Sequence, residues 1–140
     1  MAFVQDASNG SASATAITVT IAPTAGNAIV LTTRSSIEQA IAWTYNVTTA
    51  FTPSLAGIGA QGHSSNIDSI VCKTYVWENI PALVVSITGT VASAARFGVI
   101  AAEHDNIPLS YSGSSCISSQ TGAHRTVTYV ACVLRIVLLS

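Results

Sequence analysis

Short runs of β-branched residues in strict alternation constrain this chain more than any other feature. Ile17-Thr18-Val19-Thr20-Ile21 puts Ile and Val on one side and Thr on the other, the period-two pattern of a strand with one buried face. Pro23, Gly26 and Asn27 then supply a turn. Ala28-Ile29-Val30-Leu31-Thr32-Thr33 lacks the polar alternate and reads as a more fully buried strand. Further strands are expected from Ile41 to Val47, Ile70 to Trp77, Leu83 to Thr88 and Arg96 to Glu103. In the last of these Phe97, Val99 and Ala101 alternate against Gly98, Ile100 and Ala102. Arg125 to Leu138 reads as the longest strand, with a change of apolar phase at Tyr129-Val130 that suggests a bulge or a crossing between sheets. Ser35 with Glu38 matches a helix capping box. The β-rich residues that follow favour a short helical turn at most.

Residues 1 to 15 are small and polar after Val4 and read as an N-terminal arm, leaving residues 16 to 140 as one domain. Two Gly- and Ser-rich stretches, Thr52 to Asn66 and Asp105 to Gly122, read as long loops. About seven strands separated by Gly, Pro and Ser turns predict an all-β fold. The expected architecture is an antiparallel, jelly-roll-like β-sandwich with little or no helix.

Composition adds a statement about the outside of such a fold. Hydrophobic residues make up 49% of the chain and charged residues only 8%, against about 25% charged in ordinary soluble domains. That imbalance predicts apolar surface that meets copies of the chain or a scaffold. Both faces of the C-terminal run are apolar. The expected interface residues are therefore Leu134, Arg135, Ile136 and Leu138, with Phe3 and Val4 of the arm. An odd cysteine count (Cys72, Cys116 and Cys132) leaves at least one thiol without an intrachain partner, and buried free thiols are the plainest reading. Cys116, in a loop, is the candidate for a staple between subunits.

Several functions are disfavoured. Arg34, Lys73, Arg96, Arg125 and Arg135 are scattered singly and the net charge is −1, so no basic stripe is available for direct nucleic-acid binding. No apolar run reaches the roughly 18 residues of a membrane helix, and the first residues do not form a secretory signal. Glu103-His104-Asp105, with His63 or His124, could hold a divalent ion. Adjacent strand residues point to opposite faces, however, and a strand end with a capping Asp accounts for them. There is no G-x-S-x-G elbow, no persuasive carboxylate pair and no zinc spacing. The reading is non-enzymatic, with no cofactor. Trp43, Tyr45, Tyr75 and Trp77 could form a sugar-stacking platform, although core and cross-strand packing is the preferred account of them. Asn9-Gly10-Ser11 and Asn46-Val47-Thr48 match glycosylation sequons and are taken as chance matches.

Three strings resemble one family. Ile17 through Val30 resembles the opening hairpin of jelly-roll domains of tailed-phage structural proteins and related bacterial surface proteins. Tyr75-Val76-Trp77-Glu78-Asn79-Ile80-Pro81-Ala82 is similar to the aromatic strand and turn of the same domains. Val99-Ile100-Ala101-Ala102-Glu103 is similar to a later strand. The resemblance covers roughly residues 16 to 34 and 70 to 107. It implies a virion protein assembled in the host cytoplasm, of the bacteriophage capsid decoration or cement type. Such a protein self-associates and engages a major capsid or other virion protein. Two alternatives stand beside it: a carbohydrate- or receptor-binding module of a fibre or surface protein, and a subunit of an extracellular filament.

Overall fold

The computed structural model describes residues 2–61, 70–105, 109–111 and 136–138. Among them there are nine strands and no helix: β1 (Phe3–Thr20), β2 (Ala28–Ser35), β3 (Ile41–Tyr45), β4 (Thr49–Phe51), β5 (Ser54–Gln61), β6 (Ile70–Trp77), β7 (Ser86–His104), β8 (Leu109–Tyr111) and β9 (Ile136–Leu138). Every pairing is antiparallel. The chain is all-β, as the alternating runs require.

The organising element is β7. Along one edge it pairs with β1, from Phe3↔His104 to Thr20↔Ser86. Along the other edge its first half pairs with β3, Tyr45↔Ile87 to Ile41↔Val91, and its second half with β2, Ser35↔Phe97 to Ala28↔His104. The sheet order β4-β3-β7-β2-β6-β5 is therefore one continuous sheet. The register of β1 against β7 shifts between Ser11 and Ala14 and again between Ala14 and Ala16. Extra residues of this kind bend a strand and increase its twist. Two limbs result, β1–β7–β3–β4 and β1–β7–β2–β6–β5, curled toward each other about one core.

Side-chain contacts show the curl. A Cβ built on Gly89, in the first half of β7, would lie 3.3 Å from the Phe97 ring of the second half and 3.2 Å from Trp43. Trp43 on β3 meets Tyr75 on β6 edge-on at 5.4 Å, and Phe51 on β4 stacks on Trp77 on β6 at 4.0 Å. Ile17 and Val19 of β1, Ile29 and Leu31 of β2, Ile87 and Val91 of β7, and Phe97, Val99 and Ala101 complete the buried cluster. The alternation seen in the sequence is the inner face of each strand. Val30, Thr32, Thr74 and Val76 occupy the opposite face of β2 and β6 and are buried too. A strand covered on both faces needs no polar alternate, which accounts for the unbroken run Ala28 to Thr33.

Gly89 is the flat spot on which Trp43, Ile41 and Phe97 sit. Gly89→Ala pushes a methyl group into three ring and aliphatic contacts at 3.2–3.3 Å. The expected loss is about 1–3 kcal/mol, read from the urea midpoint at unchanged m-value.

The seam where the two limbs meet runs along β1. Its first half carries Gln5 and Asn9, whose amides donate to Ala22 O at 3.0 Å and Thr18 O at 2.9 Å. The first half of the bent strand is thus tied by side chains to its second half at Thr18 and to the segment just after it at Ala22. Exposed strand edges invite pairing with other chains, and this stitching occupies part of that edge.

Several segments differ from their sequence reading. Residues 3–15, read as arm, belong to β1, because ladder pairing with β7 supplies the order that small polar side chains do not advertise. Ser54–Gln61, inside the expected first loop, is strand β5, paired with β6. Its Gly- and Ala-rich sequence hides the period. The two strands expected from Leu83 to Thr88 and from Arg96 to Glu103 are one 19-residue strand, β7, starting at Ser86. Val85 therefore lies before the strand and is 56% exposed, whereas Ile87 is fully buried. Leu109–Tyr111, within the second expected loop, pairs as β8 with β9. Of the expected C-terminal strand, only Ile136–Leu138 lies among the described residues.

Candidate functional site

The most ordered polar cluster surrounds Glu103. Its side chain is completely buried because Glu103 shares the inward phase of Phe97, Val99 and Ala101. The carboxylate accepts from Gln5 Nε2 at 2.6 Å, Thr24 N at 2.8 Å and Asn27 Nδ2 at 2.7 Å. Burial pushes its pKa up, but these donors outweigh burial and hold it below the ordinary value of 4.5. Glu103 is a three-way tie between β1, the 22–27 turn and β7. The Thr24 side chain adds a further hydrogen bond to the three amide donors.

His104 points the other way. Its ring meets Phe3 edge-on at 6.1 Å. Burial lowers its pKa while Asp105 opposes the shift. Asp105 accepts from Ala2 N at 2.7 Å, and its own N–H donates to Ala2 O at 3.0 Å. The three consecutive polar residues thus serve three separate structural contacts. No group of three or more His, Cys, Asp or Glu side chains converges as a metal site among the described residues.

The aromatic residues considered for a sugar platform do come together. Trp43 and Tyr75 are buried, at 4% and 9% exposure. Tyr45 and Trp77 are half-buried and lie with Phe51 in one group, in which Phe51 stacks on Trp77 and Tyr45 is tilted against both. These rings pack on one another both within and across the two limbs.

Aliphatic side chains reach solvent at two neighbouring turns. The β3–β4 turn carries Asn46 at φ 47° and Val47 at φ 75°, and the 81–85 segment carries Leu83 at φ 65°. Asn46 holds the two together: its Nδ2 donates to Leu83 O at 2.8 Å and its Oδ1 accepts from Val85 N at 2.8 Å. Its backbone N–H also donates to Ser86 O at 3.0 Å. The sequon asparagine is therefore a clamp between loops. The result is an apolar tip formed by Val47, Leu83 and Val85, at 77%, 85% and 56% exposure. Positive φ is unusual for Leu and a genuine outlier for a β-branched residue. Positive φ at successive turn positions belongs to the type I′ family, which favours Asn-Gly. Replacing Val47 by Gly therefore relieves strain that exceeds the added chain entropy. Val47→Gly is expected to stabilise the fold by about 1 kcal/mol, seen as a higher thermal midpoint.

Of the interface residues expected from sequence, Phe3 and Val4 are 59% and 47% exposed at the start of β1. Ile136 and Leu138 lie in β9. Leu134, Arg135 and Cys116 lie outside the described residues, while Cys72 is buried on β6. The tip at Val47 and Leu83 was missed. An Asn followed by Val gives little turn signal, and Leu83 reads as the start of a strand.

Comparison with protein-family models, with curated proteins and with solved structures found no match to the chain.

Proposed function

We propose that this protein is a non-enzymatic assembly subunit, a small β-rich block of the bacteriophage capsid decoration or cement type. It acts by self-association and by covering junctions of a virion shell. The observation that carries this reading is the position of its exposed aliphatic residues. Leu83 and Val47 stand at strained, highly exposed turn positions, where Gly or Asn would fold at lower cost. Side chains retained against local strain point to a contact made outside the fold. The low charge of the chain and its resemblance to jelly-roll shell proteins support the same reading. Each such contact is small, and firm attachment comes from several engaging at once.

Light scattering over a dilution series, with and without reductant, tests it. The expected result is a defined oligomer that dissociates on dilution. A chain that stays monomeric at every accessible concentration overturns the reading.

A further inference from the structure

We propose that Asn9-Gly10 is a self-modifying site: the Gly10 backbone nitrogen closes on the Asn9 side chain, and water opens the ring to aspartate or isoaspartate. The product cuts a tie between the two halves of β1. The inference stands apart from the assembly reading and does not depend on it.

Six asparagines occur in the chain, Asn9, Asn27, Asn46, Asn66, Asn79 and Asn106. Asn9 is the one followed by glycine; the others precede Ala28, Val47, Ile67, Ile80 and Ile107. Asparagine is a thermolabile residue, and the side chain that follows it decides how labile. A Cβ crowds the peptide nitrogen, a branched one most of all, whereas glycine lets another group approach the backbone closely. The structure adds to this. Asn9 and Gly10 are both exposed. The Gly10 N–H donates to Asn9 Oδ1 at 2.8 Å, so the nitrogen lies beside the side-chain carbonyl it attacks. An extended backbone has to rotate at Asn9 before the ring can close, and the surroundings make that rotation cheap. Among the described strands β1 pairs with β7 alone, and its register breaks just beyond, between Ser11 and Ala14. Gly10 faces Gly98 across the ladder, so no cross-strand side-chain pair holds it.

The reaction balances with water as its co-reactant. The Gly10 N–H gives its proton to solvent base, the nitrogen bonds to Asn9 Cγ, and the Cγ–Nδ2 bond breaks to release ammonia. Water then adds to one of the two imide carbonyls. Attack at Cγ breaks the new bond and leaves aspartate with an ordinary peptide bond. Attack at the backbone carbonyl breaks the original peptide bond and leaves isoaspartate, with the chain routed through the side chain. Nothing is oxidised or reduced. The open depression lined by Ser8, Asn9, Gly10 and Gly98 admits the water.

The change has a structural consequence. Asn9 Nδ2 donates to Thr18 O at 2.9 Å across the seam. Either product replaces that donor by a carboxylate and sets negative charge against a carbonyl oxygen. Isoaspartate also lengthens the backbone and disturbs the Gly10↔Gly98 register. Gln5 keeps its bonds to Ala22 and Glu103, so the 9–15 stretch loosens while the first residues of β1 stay in place.

The test incubates the folded full chain at mildly acidic and mildly alkaline pH. Peptide mapping by mass spectrometry follows conversion, and isoaspartyl methyltransferase labelling scores isoaspartate. The expected result is conversion at Asn9 ahead of every other asparagine, to both products, and faster at the alkaline pH because the nitrogen must lose its proton. Gly10→Ala is expected to slow it several-fold. A Cβ there meets Gly98 Cα and Phe97 O at an ordinary 3.4 Å, so the fold is kept. Asn9→Asp is expected to lower the thermal midpoint and to speed backbone hydrogen exchange across residues 9–15. A folded chain that keeps Asn9 intact while a urea-unfolded sample converts it overturns the inference, because the ladder then protects the site. Conversion of Asn27 or Asn79 at the same rate overturns it too. Wild-type midpoint and exchange in Asn9→Asp overturn the consequence assigned to it. None of these results bears on self-association, which the dilution series decides by itself.

Discussion

Glu103→Ala is expected to destabilise the fold by about 3–5 kcal/mol, a large share of the roughly 5–15 kcal/mol available to a domain. The carboxylate is fully buried and satisfies Gln5 Nε2, Thr24 N and Asn27 Nδ2. Truncation strands three donors and leaves a hole where they converge. Each unsatisfied buried group costs about 1–3 kcal/mol. Glu103→Gln keeps the volume but turns an NH2 toward donors, so a smaller loss of about 2 kcal/mol is expected. Urea denaturation at pH 7 measures both.

The same site sets the acid limit of the fold. Because the folded pKa lies below the ordinary 4.5, the unfolded chain takes up the proton first. Glu103 then contributes its full stabilisation above pH 4.5. The contribution declines as pH falls through that value and is gone below the folded pKa. His104 acts in the same direction at higher pH. Its folded pKa is lowered from 6.5, so protonation favours the unfolded chain as pH drops below that value. Stability is expected to fall in two stages on acidification, and Glu103→Gln should abolish only the lower one. A lower stage that survives in Glu103→Gln would place the acid-sensitive group elsewhere.

Phe97→Ala has the second large effect, an expected loss of about 3–5 kcal/mol. Phe97 is 1% exposed and belongs to the main core cluster. Its ring reaches back to Gly89 of the same strand, so it packs the second half of β7 against the first. Truncation opens a cavity at the bend that holds the two limbs together, where the backbone is least able to collapse. The expected signature is a lower urea midpoint, with Phe97→Leu recovering more than half of the loss. Equal stability of Phe97→Ala and the wild type would mean that the limbs are held apart from this contact.

The inner faces are legible in the sequence. Ile17, Val19 and Ile21, and Phe97, Val99 and Ala101, lie where alternation puts them, because a side-chain period of two leaves each strand only two faces. The all-β class follows from the same pattern. The lengths of the strands were not legible. β7 runs through Gly89 and the Ala- and Ser-rich 92–95 segment, residues that read as a break. Gly89 is held in the ladder on both edges, by Ile17 and Trp43, whereas across 92–95 Ala95 pairs with Ala14 and the Gln39 side chain bonds the Ser93 backbone. Residues 3–11 carry almost no pattern and become strand because β7 offers them an edge.

Of the candidate site, Phe3 and Val4 were legible as exposed apolar residues, since nothing in a polar segment covers them. The Val47–Leu83 tip was not. Its two halves are 36 positions apart in the chain, and the pairing of β3 with β7 and the Asn46 amide bring them together. Glu103 had looked like an ordinary strand end. Its three donors come from residues 5, 24 and 27, and only the curl of the sheet makes them converge. What the sequence determined by itself is therefore which side of each strand is apolar and how little charge covers the outside, because both are local properties of residue order. The tertiary structure decided which distant polar groups are buried together and which apolar groups are left out. Those outcomes depend on where one sheet bends back on itself, and the bulges of β1 that bend it leave no mark in hydrophobic periodicity.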